Sequence, residues 1–343
     1  MQFNFNIAGI GAVSPAGLGL GSLLDGSVPR RQNWPVLAPS APTVAAGCVD
    51  PTLPCWARWR QIPRLRRVGS QTLFLLEAVD EAIRRANLPA DATIGLSVAF
   101  GNGVLTLTRK FYEGVVRAGI DGANPAWFPE TVFNAPLNHT LGALGRTGPS
   151  SAWVGDATAL AQAWVNAALW LEQGNVDAVV VAAAEEVDEA MMEVSLRAGW
   201  FRPTSKVFPA EGAVAFVLTR DGPAQTQGNF HIHSGLPWRR LTDAPAALAE
   251  VLADFDPAWP MYAGPMPPPG PAREAWKQRP ARSDWPAPWP YLGEAHSVAA
   301  GWTLARILAN APKEKFAVVL PLWGAGHQVA ALGWESLQSC VTR

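Results

Sequence analysis

Hydrophobic patterns typical of strands and of helices follow one another along most of the chain. Residues 3–13 are mostly apolar, which predicts a buried strand, and residues 68–88 place apolar side chains at helical spacing, which predicts a helix. Residues 148–186 combine a strand, a tight turn, a helix, a glycine stop and a second strand. The same patterns predict strands at 93–100, 211–219, 229–234, 316–322 and 329–335, and helices at 104–117 and 296–310. Strands that alternate with helices indicate an α/β protein.

The chain divides into two such blocks, which we predict to span residues 1–222 and 223–343. The pattern changes after Gly222, and residues 256–291 are dense in proline and tryptophan. Proline removes backbone donors and blocks helices, so this stretch is expected to be irregular. It is neither charged nor rich in serine, so we expect its tryptophan side chains to pack against the protein.

Composition restricts the class of protein further. The 343 residues are 49% hydrophobic and 16% charged, and a net charge of −1 gives no general attraction for nucleic acid or a membrane surface. The segment after Met1 has no signal-peptide pattern, and the apolar run around residues 176–184 is too short to span a bilayer. The three cysteines form no metal-binding pair. We therefore expect a cytoplasmic protein without membrane insertion.

The turn Gly155-Asp156-Ala157 joins a predicted buried strand to the start of a helix. In many enzymes such a turn carries a nucleophile, because the helix dipole and free backbone N–H groups stabilise negative charge there. Here the position holds Ala157, which has no reactive atom. Thr158 is the nearest hydroxyl, but we expect it to lie inside the helix and without a base. A serine hydrolase would require serine on the turn.

Other candidate sites give weaker signals. The sequence GIGAVS at 9–14 lacks the third glycine of a dinucleotide-binding loop, and no acidic residue follows about 20 positions later. His231 and His233 share one face of a strand, but no third ligand is near, so we expect no metal site and no cofactor. Glu185 and Glu186 end a buried strand, and they either make structural hydrogen bonds or include a functional carboxylate.

A basic run, RWRQIPRLRR, occupies residues 58–67. It is explained either by a solvated face or by a surface that docks an acidic partner. Nucleic acid is a third explanation, but the rest of the chain gives it no support, and we expect none to bind.

Several motifs, in their order and spacing, resemble those of the β-ketoacyl synthases, the condensing enzymes of the thiolase superfamily. The N-terminal IAGIGAVSPAGLG is similar to that family's V-T-G-x-G-x-V-T/S-P-x-G, and WVGDATAL stands where the family has T-A-C-S/T-x-G. Three later stretches resemble family motifs in the same way: PAEGAVAFVL, GEAHSVAAGW and LWGAGHQVAAL. The resemblance implies an α/β, thiolase-like αβαβα layered fold made of two pseudo-repeated halves, with the second half shortened.

The residues that carry the family's chemistry differ in this chain. The family's cysteine, which holds the acyl chain as a thioester, corresponds to Ala157, so acyl transfer to this position is excluded. The family's two histidines, which assist decarboxylation and stabilise the enolate, correspond to Gly264 and Ala295, with His296 adjacent. We therefore expect no catalytic residue for condensation.

A ketosynthase-like frame without its catalytic residues resembles the chain-length factors of type II polyketide synthases, including those of aryl-polyene-like systems. The resemblance implies a heterodimer with an active ketosynthase, a shared tunnel for the growing chain, and an acyl carrier protein as a further partner. It implies a dimer interface at Ser151, Ala152, Trp153 and Val154, a chain-length gate at Leu105, Thr108 and Tyr112, and carrier docking at Arg64, Arg66 and Arg67. An ordinary core face is the alternative explanation for the three gate residues.

Three other functions remain open. A protein without the cysteine still decarboxylates malonyl-carrier protein if a histidine and an oxyanion hole are kept, and His296 and the turn at 324–326 allow this. The nucleophile can instead have moved, with Thr158 as the nearest hydroxyl. The protein can also be a stand-alone acyl-binding homodimer.

Overall fold

The computed structural model describes residues 1–34, 44–198, 208–220, 226–262, 272, 292–311, 316–324 and 327–336. The strands are β1 (Gln2–Ser14), β2 (Gly17–Leu18), β3 (Arg31–Trp34), β4 (Val44–Gly47), β5 (Ile94–Phe100), β6 (Ser150–Val154), β7 (Ala178–Glu185), β8 (Gly212–Thr219), β9 (Thr226–Pro237), β10 (Ala317–Gly324) and β11 (Gln328–Ser336). The helices are α1 (Gly19–Leu24), α2 (Pro54–Arg60), α3 (Ser70–Ala86), α4 (Leu105–Ala118), α5 (Ala135–Ala143), α6 (Ala159–Glu172), α7 (Glu189–Arg197), α8 (Ala244–Ala253) and α9 (Ser297–Ala309).

Most of the described strands join into one mixed sheet. Its order is β10-β11-β9-β1-β8-β7-β5-β6, with β2 paired to the end of β1, while β3 and β4 form a separate hairpin. β5 runs parallel to both β6 and β7, and the other neighbours along the sheet are antiparallel. Strands β5, β7 and β8 are buried along their whole length, because helices cover both of their faces. β6 is the edge strand at one end of the sheet.

Helices and strands stack in five layers, and the one sheet supplies both strand layers. β1 takes part in both, because its residues 2–7 pair with β9 and its residues 6–13 pair with β8. α3 covers the outer face of β1, β7 and β8. α6 and α9 lie in the middle, where α6 contacts β5 and β7 on one side and β9 and β11 on the other. α8 covers the outer face of β9 and β11. The predicted αβαβα arrangement is therefore confirmed.

Aromatic side chains fill the middle layer and join the two halves of the chain. Trp164 of α6 is fully buried and stacks on Phe230 of β9, with ring centroids 4.9 Å apart. Phe5 of β1 stacks on the same Phe230 at 4.6 Å. Burying side chains of this size stabilises a fold by about 1.5–3 kcal/mol each.

The glycines of the GIGAVS stretch serve packing. A Cβ on Gly9 would overlap the carbonyl oxygen of Ala82, and a Cβ on Gly11 would overlap that of Ala78, both on α3. The missing side chains let α3 lie directly against β1. This close helix–strand contact explains the two glycines without a bound dinucleotide.

The predicted strands and helices are present, with ends that differ by a few residues. The hairpin of β3 and β4 and the helices α2, α7 and α8 are additional to those predicted. α2 has only 7 residues, which is too short for a helical hydrophobic period to be recognised. The predicted boundary after residue 222, and most of the stretch 256–291, lie outside the described residues.

Candidate functional site

A cleft of about 460 Å³ opens at the carboxyl ends of the parallel strands β5 and β6. Open α/β sheets commonly bind their ligands at this end. The cleft is lined by Gly101, Asn102, Trp153, Val154, Gly155, Asp156, Thr158, Ala159, Gln162, His296 and Gln328. Five parts of the chain therefore contribute: the end of β5, the end of β6, the start of α6, the residue before α9 and the start of β11.

The strand-to-helix turn runs through one wall of this cleft. Ala157 is 1% exposed and belongs to the central core, whereas Asp156 and Thr158 on either side line the cleft. Thr158 is the N-cap residue of α6, which corrects its predicted place inside the helix. Its backbone N–H and its hydroxyl donate to Asp156 Oδ1 at 3.0 and 2.6 Å. A local turn of this kind forms because a short acidic side chain satisfies N–H groups that the helix leaves unpaired.

His296 is the histidine of the cleft. Ala295, which the motif alignment matches to the family's histidine, is fully buried, and the following His296 lines the cleft. His296 has a φ of 48° and precedes α9, and its backbone N–H donates to Glu294 Oε1 at 2.7 Å. Burial lowers the pKa of the imidazole, an effect that the nearby Asp156 opposes. The other predicted position, Gly264, lies outside the described residues.

Two buried glutamates lie behind the cleft. Glu185, at the end of β7, accepts hydrogen bonds from the backbone N–H of Gly101 and from Asn102 Nδ2, the latter at 3.3 Å. Burial raises its pKa to about 8, although the N–H donors of Gly101 and Asn102 oppose the rise. Burial also raises the pKa of Glu294 to about 8. Glu186 accepts the backbone N–H of Thr106 at 3.1 Å, so structural hydrogen bonding is confirmed for both Glu185 and Glu186.

The polar side chains that face the cleft are uncharged apart from Asp156, and Trp153, Val154 and Ala159 add apolar surface. Asn102, Gln162 and Gln328 supply amides, and His296 supplies an imidazole whose lowered pKa favours the neutral form. Among the described residues that line the cleft there is no thiol, so these residues can hydrogen-bond polar groups but offer no sulfur nucleophile. The sequence predictions missed the three amides. Two of them had positional signals: Asn102 is the second residue after β5, and Gln162 lies one helical turn after Thr158.

The predicted interface residues form the edge strand β6. Val154 is 44% exposed, and Ser151, Ala152 and Trp153 are half-buried. Trp153 points inward, because its indole N–H donates to Ser97 Oγ at 3.1 Å and its ring packs on the central core. Val154 is therefore the more exposed apolar residue of this strand.

The predicted gate residues of α4 lie in different surroundings. Leu105 packs against the cluster that includes Val187 and Met191, near the start of α7, whereas Tyr112 is 59% exposed. Thr108 is half-buried, and its hydroxyl donates to the carbonyl oxygen of Val104 at 2.8 Å. The ordinary core face that was the alternative explanation is therefore wrong for Tyr112. Val116, one helical turn further along α4, is also exposed and lies beside Tyr112.

The basic run divides into paired and unpaired arginines. Arg58 of α2 forms ion pairs with Glu77 and Asp80 at 3.1 and 3.3 Å. Arg64, Arg66 and Arg67 are exposed, and none of them forms an ion pair with another described residue.

Over the described part of the chain, no group of three or more His, Cys, Asp or Glu side chains is arranged to hold a metal ion. Among the helices of that part, none combines the length and the apolar character needed to cross a bilayer.

Solved structures with the same fold are known, although comparison of sequences finds no protein-family model and no curated protein that matches the chain. The ishigamide ketosynthase/chain length factor is 17% identical, with a TM-score of 0.78 over 97% of this chain and 99% of that chain. A second match, with a TM-score of 0.74 and 15% identity over 98% of this chain and 100% of that chain, is AntDE:AntF, a type II PKS acyl-carrier protein in complex with its ketosynthase bound to the hexaketide. A β-ketoacyl synthase from Burkholderia phymatum STM815 has a TM-score of 0.76 at 12% identity, over 98% of this chain and 100% of that chain. The chain therefore has the thiolase-like fold of the ketosynthases.

Proposed function

We propose that this protein is a non-catalytic ketosynthase-like subunit, a chain-length factor, that pairs with an active β-ketoacyl synthase and shapes the tunnel for the growing chain. The observation that carries the proposal is the turn at Ala157. The fold keeps the strand, the turn, the helix and an open cleft, but the nucleophile position holds a methyl group that is 1% exposed. A fold kept without its nucleophile is best explained by a role in assembly.

Two exposed features support the pairing. β6 ends the sheet, so its outer backbone groups have no strand neighbour among the described residues, and no charged side chain or proline protects this edge. The exposed side chains of Val154 and of Val116 on α4 add apolar surface, 44% and 86% exposed. An unprotected edge strand with apolar surface is typical of an interface with another chain. The similarity to a ketosynthase/chain length factor supports a ketosynthase as that other chain.

An acyl carrier protein is proposed as the second partner. One of the similar structures is a complex of an acyl-carrier protein with its ketosynthase. In this chain Arg64, Arg66 and Arg67 are exposed and form no ion pair with a described residue. Exposed cations attract an acidic partner and speed its approach, and this attraction weakens in salt.

A co-expression experiment tests the pairing. The reading frames next to this gene are first searched for an intact Cys-His-His ketosynthase. The tagged chain is then expressed with that ketosynthase, and the mass of the purified complex is measured by light scattering. We expect a complex with one copy of each chain that extends malonyl-carrier protein, while each chain alone forms no product. Product masses then report chain length. A homodimer or monomer in the presence of the intact ketosynthase would contradict the proposal.

Decarboxylation of malonyl-carrier protein is a second candidate function, because His296 faces the cleft. A neutral imidazole donates a hydrogen bond to a developing enolate oxygen, which is how a histidine assists such a reaction. The purified chain is incubated with malonyl-carrier protein, and acetyl-carrier protein is measured by mass spectrometry. Equal rates for the wild type, for His296→Ala and for the reaction without protein would exclude this function.

A further inference from the structure

Three acidic side chains lie close together in sequence at the end of β7, and all three are buried. Glu185, Glu186 and Asp188 are 0%, 5% and 1% exposed. Burying carboxylates is costly unless each one is hydrogen-bonded or paired. Their hydrogen-bond partners therefore indicate what these residues do.

All three side chains bind the same segment, residues 101–109, and they contact it in sequence order. Glu185 accepts the backbone N–H of Gly101 and the side-chain amide of Asn102, and so holds the loop that lines the cleft. Asp188 accepts Arg109 Nε at 3.0 Å on Oδ2, and so ties α4 to the start of α7. Asp188 also caps α7, because its Oδ1 accepts the N–H of Ala190 at 2.8 Å.

Glu186, between them, caps two helices at once. Its Oε1 accepts the N–H of Thr106 in the first turn of α4, at 3.1 Å, and its Oε2 accepts the N–H of Gln71 in the first turn of α3, at 3.4 Å. Neither helix has a capping side chain of its own, since the N-cap residues are Val104 and Gly69. A carboxylate at a helix N-terminus satisfies free N–H groups and is stabilised by the helix dipole. Glu186 therefore fixes the start of α4 against the start of α3.

We propose that Glu185, Glu186 and Asp188 are positioning residues that set the place of α4 and link it to the cleft. The segment they hold begins with the cleft residue Asn102 and continues into the helix that carries Thr108 and Tyr112. A displacement of Asn102 therefore also displaces α4, because Glu185 holds Asn102 while Glu186 and Asp188, at the same end of β7, hold α4. Any effect of these residues on the chain length of the product rests on the proposed function. Their effect on the position of α4 does not.

Hydrogen exchange of the isolated chain tests the positioning role. In Glu185→Gln and Glu186→Gln the shape is kept, but an amide N–H₂ replaces one acceptor oxygen. We expect exchange over residues 101–112 to rise on the order of tenfold, since each variant removes an acceptor oxygen from the backbone N–H groups of this segment. The matched control is Glu172→Gln at the exposed end of α6, which should exchange like the wild type. Asn102→Ala is a second variant at a half-exposed position, and it should raise exchange over 101–106 even if the glutamate variants fold poorly.

Two outcomes would overturn the positioning role. One is unchanged exchange over residues 101–112 in both glutamate variants and in Asn102→Ala. The other is a rise spread evenly over the whole chain, which would mean that the acids contribute only to global stability.

Product analysis of the reconstituted pair tests the link to chain length. We expect Glu186→Gln to broaden or shift the distribution of product lengths, while Glu172→Gln leaves it unchanged. Locally raised exchange with an unchanged product distribution would overturn the link but leave the positioning role standing. Failure of the wild type to form any pair would instead count against the proposed function, because the exchange result does not depend on a partner.

Discussion

The imidazole of His296 lies against the Cα of Gly101, so that a Cβ added to Gly101 would stand 2.5 Å from His296 Cδ2. The same Cβ would stand 2.7 Å from Glu185 Oε1. We expect Gly101→Ala to displace the imidazole and to lower the free energy of unfolding by about 1–3 kcal/mol, the usual cost of overpacking. Urea denaturation followed by tryptophan fluorescence measures it.

Gly21→Ala is the matched control for this change. Gly21 lies in α1, and a Cβ there would meet no atom within 4 Å. It should leave stability unchanged or raise it by up to about 1 kcal/mol, since alanine favours a helix over glycine. Equal losses in both variants would show that the contact between His296 and Gly101 is not tight.

Stability should fall as the pH rises from mildly acidic to alkaline. Burial raises the pKa of Glu185 and Glu294 to about 8 and that of Glu211 to about 7, against an ordinary glutamate value of 4.5. Between pH 4.5 and 8 these three carboxyl groups therefore bind more protons in the folded state than in the unfolded state, and the lowered pKa of His296 opposes this only below its ordinary value of 6.5. The free energy of unfolding decreases across this window, and the decrease ends above the higher value. Thermal unfolding at pH 5, 7 and 9 would show a falling Tm.

Glu294→Gln isolates one of these groups. Glu294 Oε2 is buried and has no hydrogen-bond partner among the described residues, so its charged form is poorly compensated. The neutral amide should raise the Tm at pH 9 by roughly 2–4 °C and change it little at pH 5. Glu172→Gln, at an exposed site, should keep the wild-type pH dependence. If the Tm of Glu294→Gln and that of the wild type changed with pH in parallel, the raised pKa of Glu294 would be contradicted.

Two neighbouring residues of β6 should respond differently to arginine. Val154→Arg places a charge on an exposed edge residue, so we expect the Tm of the isolated chain to stay within about 1 °C while association with the ketosynthase weakens about tenfold or more. Trp153→Arg should lower the Tm as well, because the indole packs on the core and bonds to Ser97. Calorimetry of the isolated chain and titration with the partner separate the two effects. Unchanged affinity in Val154→Arg would exclude this end of β6 from the interface.

Reversing the exposed arginines should slow encounter with the carrier protein. In the reconstituted pair, changing Arg64, Arg66 and Arg67 to Glu should reduce product formation on the order of tenfold at low salt, and the difference should shrink as salt screens the charges. Arg84→Glu on α3 is the control for a change of charge elsewhere, since its side chain is 60% exposed and pairs within its own helix with Asp80. Rates equal to the wild type at low ionic strength would argue against this docking surface.

Much of the fold was predictable because its elements carry strong local patterns. The all-buried strands β5, β7 and β8 are short continuous apolar runs, and the long helix α3 places its apolar residues at helical spacing. Both signals are visible in a single sequence. The turn at Ala157 was equally visible, since a strand, a small-residue turn and a helix follow one another there. Short elements such as α2 offer too few residues for a period.

The details of the cleft were not predictable for a different reason. Asn102 and Glu185 are 83 residues apart in sequence, and no local pattern reveals that they meet. Sequence alignment pointed to Ala295, whereas His296 lines the cleft, with a φ of 48°. Such a backbone turn decides which of two adjacent side chains faces the cleft, and the spacing of motifs does not encode it.

The exposed side of α4 gives the last prediction, on chain length. Tyr112 is 59% exposed, and its ring meets Phe111 edge-on at 5.5 Å, so its bulk stands where a partner would close over it. If this helix ends the tunnel, Tyr112→Ala should allow longer products and Thr108→Trp should shorten them, because added methylenes need space that a packed wall denies. Lys110→Ala, an exposed change on the opposite side of α4, should leave the products unchanged. Mass spectrometry measures the chain length of the products. Equal product lengths from all three variants, with the dimer and the reaction rate unchanged, would place the gate elsewhere.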